Sequence, residues 1–375
     1  MAGGITTGVL ALWTLISTLM LVTQMPVTSA RSSTVFQTSV NELRHAQREH
    51  RGFHAHARTH SRKLSSLVVE SNSLLLSYHN GPILAGTPAI NVYIVWYGRF
   101  SASQKATIVD FFGSLGEGVA AVEDEPSVRS WWKLTESYTD SRGSPVASQV
   151  ILKGQTSYDS YSMGKTLSNE DIQRIVLESF SDSTDSSGIY FVLTSEDVQV
   201  GSFCMNSCGS HHFSLPSRGT NYRQLLFAWV GNSASLCAGR CAWPFAKPQY
   251  GPPMTPLAAP NGDVGVDGMI INIAALLAGT ATNPYSNGYF QGDASAPLES
   301  ASSCSGVYGE GAFPGYPGAL IVDEATGGSY NAMGVNGRRF LLPALWDPAT
   351  RSCRVSSPAA VDVALVDRES GSYSQ

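Results

Sequence analysis

The chain has 375 residues, 43% of them hydrophobic and 14% charged, which excludes global disorder and leaves room for one large domain or two small ones. Its 24 basic and 29 acidic residues give a formal charge of -5, so nothing in the balance points to nucleic acid as a partner. That average hides an asymmetry: seven basic residues (Arg31, Arg44, Arg48, Arg51, Arg58, Arg62, Lys63) but only two acidic ones (Glu42, Glu49) lie between Ala30 and Leu64, leaving about -10 on the body from Leu64 onward.

Residues 1–30 read as a signal peptide. Ile5 to Val22 is uncharged and mostly apolar, and Pro26 with the small residues Thr28, Ser29 and Ala30 suits cleavage before Arg31. A type II membrane anchor is the alternative, but the run contains Thr6, Thr7, Thr14, Ser17 and Thr18 and is short for a span. The expectation is a secreted protein with no membrane segment in its mature form. Residues 31–64 hold His45, His50, His54, His56 and His60 among the basic side chains and almost no large aliphatics. They read as a pro-region or flexible tail, with loose metal binding as the alternative.

Residues 65–375 read as one globular domain. Ile90–Tyr97 is β-branched and aromatic on both alternations, as in a strand buried on both faces. Ser101 or Ser103 is placed to cap a helix carrying Ile108, Phe111, Phe112 and Leu115 at helical spacing. Gln149–Thr156 follows as a strand, Leu167–Phe180 as a helix with Ser168 at its N-cap, then Ile189–Thr194 and Arg223–Val230 as strands. This alternation predicts an α/β fold with a mixed sheet flanked by helices.

Prolines crowd Trp243–Pro260, which reads as an extended loop, and Val266–Ala281 reads as a core helix, apolar all round, ending at Thr282-Asn283-Pro284. The rest is rich in Gly, Pro and aromatics. Its clearest expected element is a hairpin-like pairing of Ala319–Val322 with Arg339–Leu345, enclosing the turn signals Thr326-Gly327-Gly328 and Asn336-Gly337.

Six cysteines, an even number, agree with an oxidising compartment: Cys204, Cys208, Cys237, Cys241, Cys304 and Cys353. Fifteen pairings of six cysteines are open. An intra-pair bridge such as Cys204 to Cys208 would close a short loop, and Cys304 to Cys353 a long one that fastens the C-terminal region to itself. With His211 and His212 nearby, the first four cysteines also offer a zinc ligand set, although structural zinc favours closer pairs than Cys-x3-Cys. Disulfides are the preferred reading.

Other chemistry is thinly supported. There is no Gly-x-Ser-x-Gly elbow, no phosphate-binding glycine loop and no dinucleotide fingerprint, so no cofactor is expected. A hydrolytic site would have to recruit His79, His211 or His212 as its base. Carboxylates such as Glu123, Asp124 and Glu125 exist, but no spacing singles out a pair.

Five stretches are distinctive: FCMNSCGSHHF, FAWVGNSASLCAGRCAWPF, APNGDVGVDGMIINIAALLAGTATNPYSNGYFQG, GYPGALIVDEATGGSYNA and NGRRFLLPALWDP. They resemble the plant EXORDIUM family, also called the phosphate-induced protein family, from about Tyr78 to Cys353. The resemblance implies a secreted protein of the apoplast or cell wall, linked to cell expansion, growth and brassinosteroid response, with no settled activity. It also implies a degenerate zincin-like scaffold. Relatives outside the plant branch carry a zinc-protease-like HELAE segment where this chain has Ala275-Leu276-Leu277-Ala278-Gly279, followed by Asn283.

At those positions Ala275 replaces a histidine ligand, Leu276 the general-base glutamate and Gly279 the second acid, and none of the three offers a lone pair to a metal. The expectation is a noncatalytic protein that binds a wall polymer, peptide or receptor. Loop aromatics, among them Trp243, Phe245, Tyr250 and Tyr289, are the candidate contacts, although rings in Gly/Pro-rich loops more often pin those loops to the body. A secreted hydrolase with an unlocated site is the alternative.

Overall fold

A computed structural model describes residues 75–116, 126–180, 185–217, 220, 223–294 and 296–355. The expected signal segment 1–30, the basic tail 31–64 and the acidic residues Glu123, Asp124 and Glu125 lie outside them.

Five strands form the central sheet: β1 (Ala89–Tyr97), β2 (Gln149–Tyr158), β3 (Ile189–Thr194), β4 (Gly209–Phe213) and β5 (Leu226–Gly231). Their spatial order is β2-β1-β3-β5-β4. The first four of that order run parallel, and β4 is an antiparallel edge against β5. The mixed α/β sheet expected from the pattern is therefore present.

Strand alternation decides what each face buries. Ile90, Val92, Ile94 and Trp96 of β1 join Ile189, Phe191, Leu193, Leu226, Ala228 and Val230 in one apolar cluster. The residues between them, including Val95, Tyr97, Tyr190, Val192, Phe227 and Trp229, form the core on the other face.

Each face has its own helices. On the first lie α1 (Ala102–Gly113) and the long α5 (Val264–Thr282), and on the second lies α3 (Asn169–Ser179). Two starts follow the sequence signals: Ser101 caps α1 in a capping box with Gln104, and Ser168 caps α3 in one with Asp171. Asp263 caps α5, and Asn283 stands at its C-terminal end before Pro284. By length and composition α5 could cross a membrane, yet most of it is buried against the sheet.

Two short helices were not signalled: α2 (Val128–Trp132), whose Trp131 and Trp132 are buried, and α4 (Ala238–Cys241), a single turn. Strand β4 was also missed, because GSHHF sits between a cysteine and a polar loop and reads as neither period.

The expected pairing of Ala319–Val322 with Arg339–Leu345 is corrected. Ile321–Val322 pairs instead with Ser329–Tyr330, and Ala332–Met333 with Arg339–Phe340. Each turn signal closes its own tight hairpin. In the second, Asn336 and Gly337 both take positive φ, which a two-residue turn of this hand requires.

The cysteines form three disulfides, Cys204–Cys237, Cys208–Cys241 and Cys304–Cys353. Of the pairings the sequence left open, the long C-terminal bridge forms, and Cys204 and Cys208 each bond to a distant cysteine rather than to one another. Cys237 and Cys241 flank one helical turn, so their sulfurs project on the same side, 3.8 Å apart, toward the 204–208 turn. Two parallel bridges therefore tie the approach to β4 to the segment after β5.

Candidate functional site: a cleft along the central helix

Helix α5 is not buried all round. Asn272, Ala275 and Leu276 are half-buried, and Ala275 with Asn272 and Ile271 forms the floor of an open cleft of about 560 Å³. That volume is within the range of small-molecule sites. One wall is α4 with the doubly bridged cysteine segment, including Arg240, Cys241 and Cys208. The other is the turn Ala301–Gly306, held by the Cys304–Cys353 bridge.

Trp243 lines the cleft, half-buried, its indole Nε1–H donating to Met254 Sδ at 2.9 Å. Tyr308 lies behind it, 5.6 Å between ring centroids, with its hydroxyl pKa raised by burial. At the mouth, Tyr250 is 74% exposed. Opposite it, exposed Phe313 and Tyr316 flank Pro314 and Gly315, which also line the cleft. An ideal Cβ on Gly315 would stand 3.0 Å from Pro252, so the two lips nearly touch at that point.

The expected binding aromatics thus divide. Trp243 and Tyr250 belong to the cleft, whereas Phe245 and Tyr289 are buried and are corrected from contact residues to packing. Phe245 packs beside Ile271, Tyr308 and Leu341. Tyr289 stacks on Tyr78 and exchanges hydrogen bonds with the backbone of Thr139. Phe245 lies in a turn and Tyr289 in a two-residue strand paired with Ser77–Tyr78, and both rings are buried in the domain interior.

One helical turn beyond Ala275, Gly279 faces a buried polar cluster. His211 Nε2 lies 2.9 Å from both carboxylate oxygens of Glu299, and Asn283 Nδ2 donates to Glu299 Oε1 at 2.7 Å. The side chains of His211 and Glu299 are only 10% and 11% exposed. The position of Gly279 matters here, because a Cβ would come 2.6 Å from Glu299 Oε2 and 3.6 Å from His211 Nε2. Asn283 Oδ1 accepts from Gly288 N–H, which fixes the amide orientation.

Alternation along β4 sends His211 toward α5 and His212 to the opposite face, near Phe227. Burial, and secondarily the charge of His211, lower the pKa of His212. His79 stacks on Phe290 with centroids 3.8 Å apart and takes no part in this cluster. Among the described residues no hydroxyl or thiol is hydrogen-bonded to His211, and its Nδ1 is buried without a partner. Histidine and carboxylate meet here as in a hydrolytic triad, without a nucleophile in hydrogen-bond reach.

A second polar cluster lies at the carboxyl ends of β1 and β3, where the strand order reverses and open α/β sheets commonly hold ligands. There Asp197 accepts from Ser195 Oγ and Tyr161 Oη and pairs with Lys165 Nζ at 2.6 Å. These three groups spend their hydrogen bonds on Asp197, so the clasp is closed on itself. No sequence signal marked it, nor Glu299, since lone acids carry no spacing to read.

Fold and cleft define the class: a three-layer mixed α/β protein with a disulfide-walled groove beside its central helix. The family model described as the phosphate-induced protein 1 conserved region matches residues 76–356. Protein PHOSPHATE-INDUCED 1 of Nicotiana tabacum is 50% identical over 295 residues, covering 78% of this chain and 92% of the relative. Protein EXORDIUM of Arabidopsis thaliana is 50% identical over 287 residues, 74% of this chain and 88% of the relative. Protein EXORDIUM-like 2 of the same plant is 46% identical over 299 residues, 77% and 92% of the two chains. The chain belongs to the EXORDIUM/phosphate-induced family. No solved structure matches it.

Proposed function

We propose that the protein is a secreted apoplast or cell-wall protein that regulates cell expansion, acting noncatalytically by holding a wall component, peptide or receptor segment in the α5 cleft. The observation that carries this reading is the make-up of the cleft. Among the described residues its lining contains no His, Asp, Glu or Lys, and its cysteines are bridged. Hydrolysis of a glycosidic or peptide bond needs a positioned acid or base, and none faces the groove. At Ala275, where the family resemblance implies a histidine in some relatives outside the plant branch, a methyl group forms the floor.

The names of the relatives, a phosphate-induced protein and EXORDIUM proteins, fit a role in growth or phosphate response. Three disulfides suit an oxidising compartment. The degenerate zincin-like descent belongs to the same proposal and is supported by the faces that residues 275 and 279 present.

The test uses purified native protein incubated with plant wall extract. Retention of a wall component that Tyr250→Ala abolishes, with no new product ends, is the expected result. Turnover that disappears in His211→Ala would overturn the reading in favour of a hydrolase working through the buried His211–Glu299 pair.

A further inference from the structure

We infer that the cleft selects an acidic oligosaccharide, a chain of uronate sugars, with Arg240 receiving a sugar carboxylate; this rests on the cleft-binding reading above. Among the described residues Arg240 is the only charged side chain that lines the groove. It is exposed, and among the described residues it has neither an ion-pair nor a hydrogen-bond partner. The arginines bordering two other cavities are already matched: Arg338 with Asp110, Arg339 with Asp323 and Arg354 with Asp347. A planar guanidinium with all its donors free, in a groove without a carboxylate, suits a planar anion presented bidentately.

The remaining lining says what kind of molecule carries that anion. Tyr250 at the mouth and Trp243 in the wall bring aromatic rings to the cleft, and a pyranose offers a face of C–H groups that packs on such rings. Between the rings stand short polar groups, Gln249, Ser302 and Ser305, suited to hydroxyls. The lining also holds apolar side chains, among them Pro252, Ile271 and Ala275, so an acidic peptide is the competing occupant that titration must separate from a sugar acid. On a body of net charge about -10, this groove is an uncharged trough with one free cation, so a polyanion is admitted there and repelled elsewhere.

Isothermal titration of the purified chain in calcium-free buffer decides it, with three probes: oligogalacturonide, the same oligomer with its carboxyls reduced to neutral alcohols, and an oligoglutamate peptide. The expected result is binding of the first alone, weakened at least about tenfold by Arg240→Gln and by added salt, and lost in Tyr250→Ala. Both side chains are exposed, and disulfide mapping with circular dichroism checks that the variants fold.

Equal binding of the reduced oligomer, or indifference to Arg240→Gln, overturns the uronate assignment and leaves the cleft reading standing. Preference for the peptide overturns it in favour of a protein partner. Binding to wall extract that survives Tyr250→Ala, with none of the probes bound, overturns both.

Discussion

His211 Nε2 and the carboxylate of Glu299, 88 residues apart in the chain, meet at 2.9 Å against the bare backbone of Gly279. Each is nearly withdrawn from water, so neither partner is expendable. Truncating Glu299→Ala leaves His211 and the Asn283 amide without their hydrogen-bond partner, and should cost about 1–3 kcal/mol in chemical denaturation. Gly279→Ala drives a methyl into the Glu299 carboxylate and should cost about 1–3 kcal/mol. A measured change under 0.5 kcal/mol in both would show that the pair contributes little to the fold.

Asp267 in the first turn of α5 is 2% exposed, and burial pushes its pKa up to about 7 despite two N–H bonds from Asn261. In the unfolded chain an aspartate titrates near 3.9. Between those values the folded form holds a proton that the unfolded form has released, so stability falls as pH rises from about 4 to about 7. Asp267→Asn should remove that slope. Urea denaturation across this range checks it through the difference between the two profiles, since histidines titrate in the same window. Parallel profiles would refute the assignment.

Asp197 behaves oppositely. Burial raises its pKa, but hydrogen bonds from Lys165, Ser195 and Tyr161 outweigh burial and hold it at about 2. Its contribution is therefore present above about pH 4 and lost as pH falls toward 2. Asp197→Asn should flatten the acid limb of the stability curve only. Beside it, Gly98 has φ of +94°, and a Cβ there would stand 2.0 Å from Ser195 Oγ. Gly98→Ala should lower the midpoint at every pH by straining that turn.

The neighbouring bridges predict a strong non-additivity. Cys204–Cys237 and Cys208–Cys241 each span 33 residues of nearly the same segment. In the chain-entropy view, removing one leaves the loop closed by the other and should cost well under 2 kcal/mol, while removing both costs about 3–4 kcal/mol. Serine variants compared in guanidinium measure the difference. Mass spectrometry of nonreduced peptides should recover the 204–237, 208–241 and 304–353 links. Recovery of a 204–208 link would contradict the pairing.

Much of the layer structure was legible because it rests on local signals. Ser101 and Ser168 each begin a helix since a serine oxygen satisfies an N–H that the helix itself leaves free. Ile189–Thr194 is a strand at the bounds its β-branched pattern predicts, buried on both faces. The turn signals at Gly327 and Asn336-Gly337 were read correctly as turns and wrongly as parts of one hairpin, because turn chemistry specifies a reversal and says nothing of which distant strand it returns to. Phe245 and Tyr289 were misread for a related reason: an aromatic in a Gly/Pro-rich segment is as able to plug the core as to meet a ligand.

What the sequence by itself determined is the set of elements whose stability is local: capped amphipathic helices, strands of period two, the even cysteine count and the family. Relationships between residues far apart along the chain emerge only when the layers pack. Examples are Glu299 against His211, Cys204 with Cys237 rather than Cys208, and Arg240 left unpaired above Ala275. The physical reason is that short-range propensities act through a few neighbouring dihedrals. A buried ion pair, a disulfide or a free cation in a cleft depends on which surfaces the layered packing brings within a few ångströms, and no local pattern encodes that.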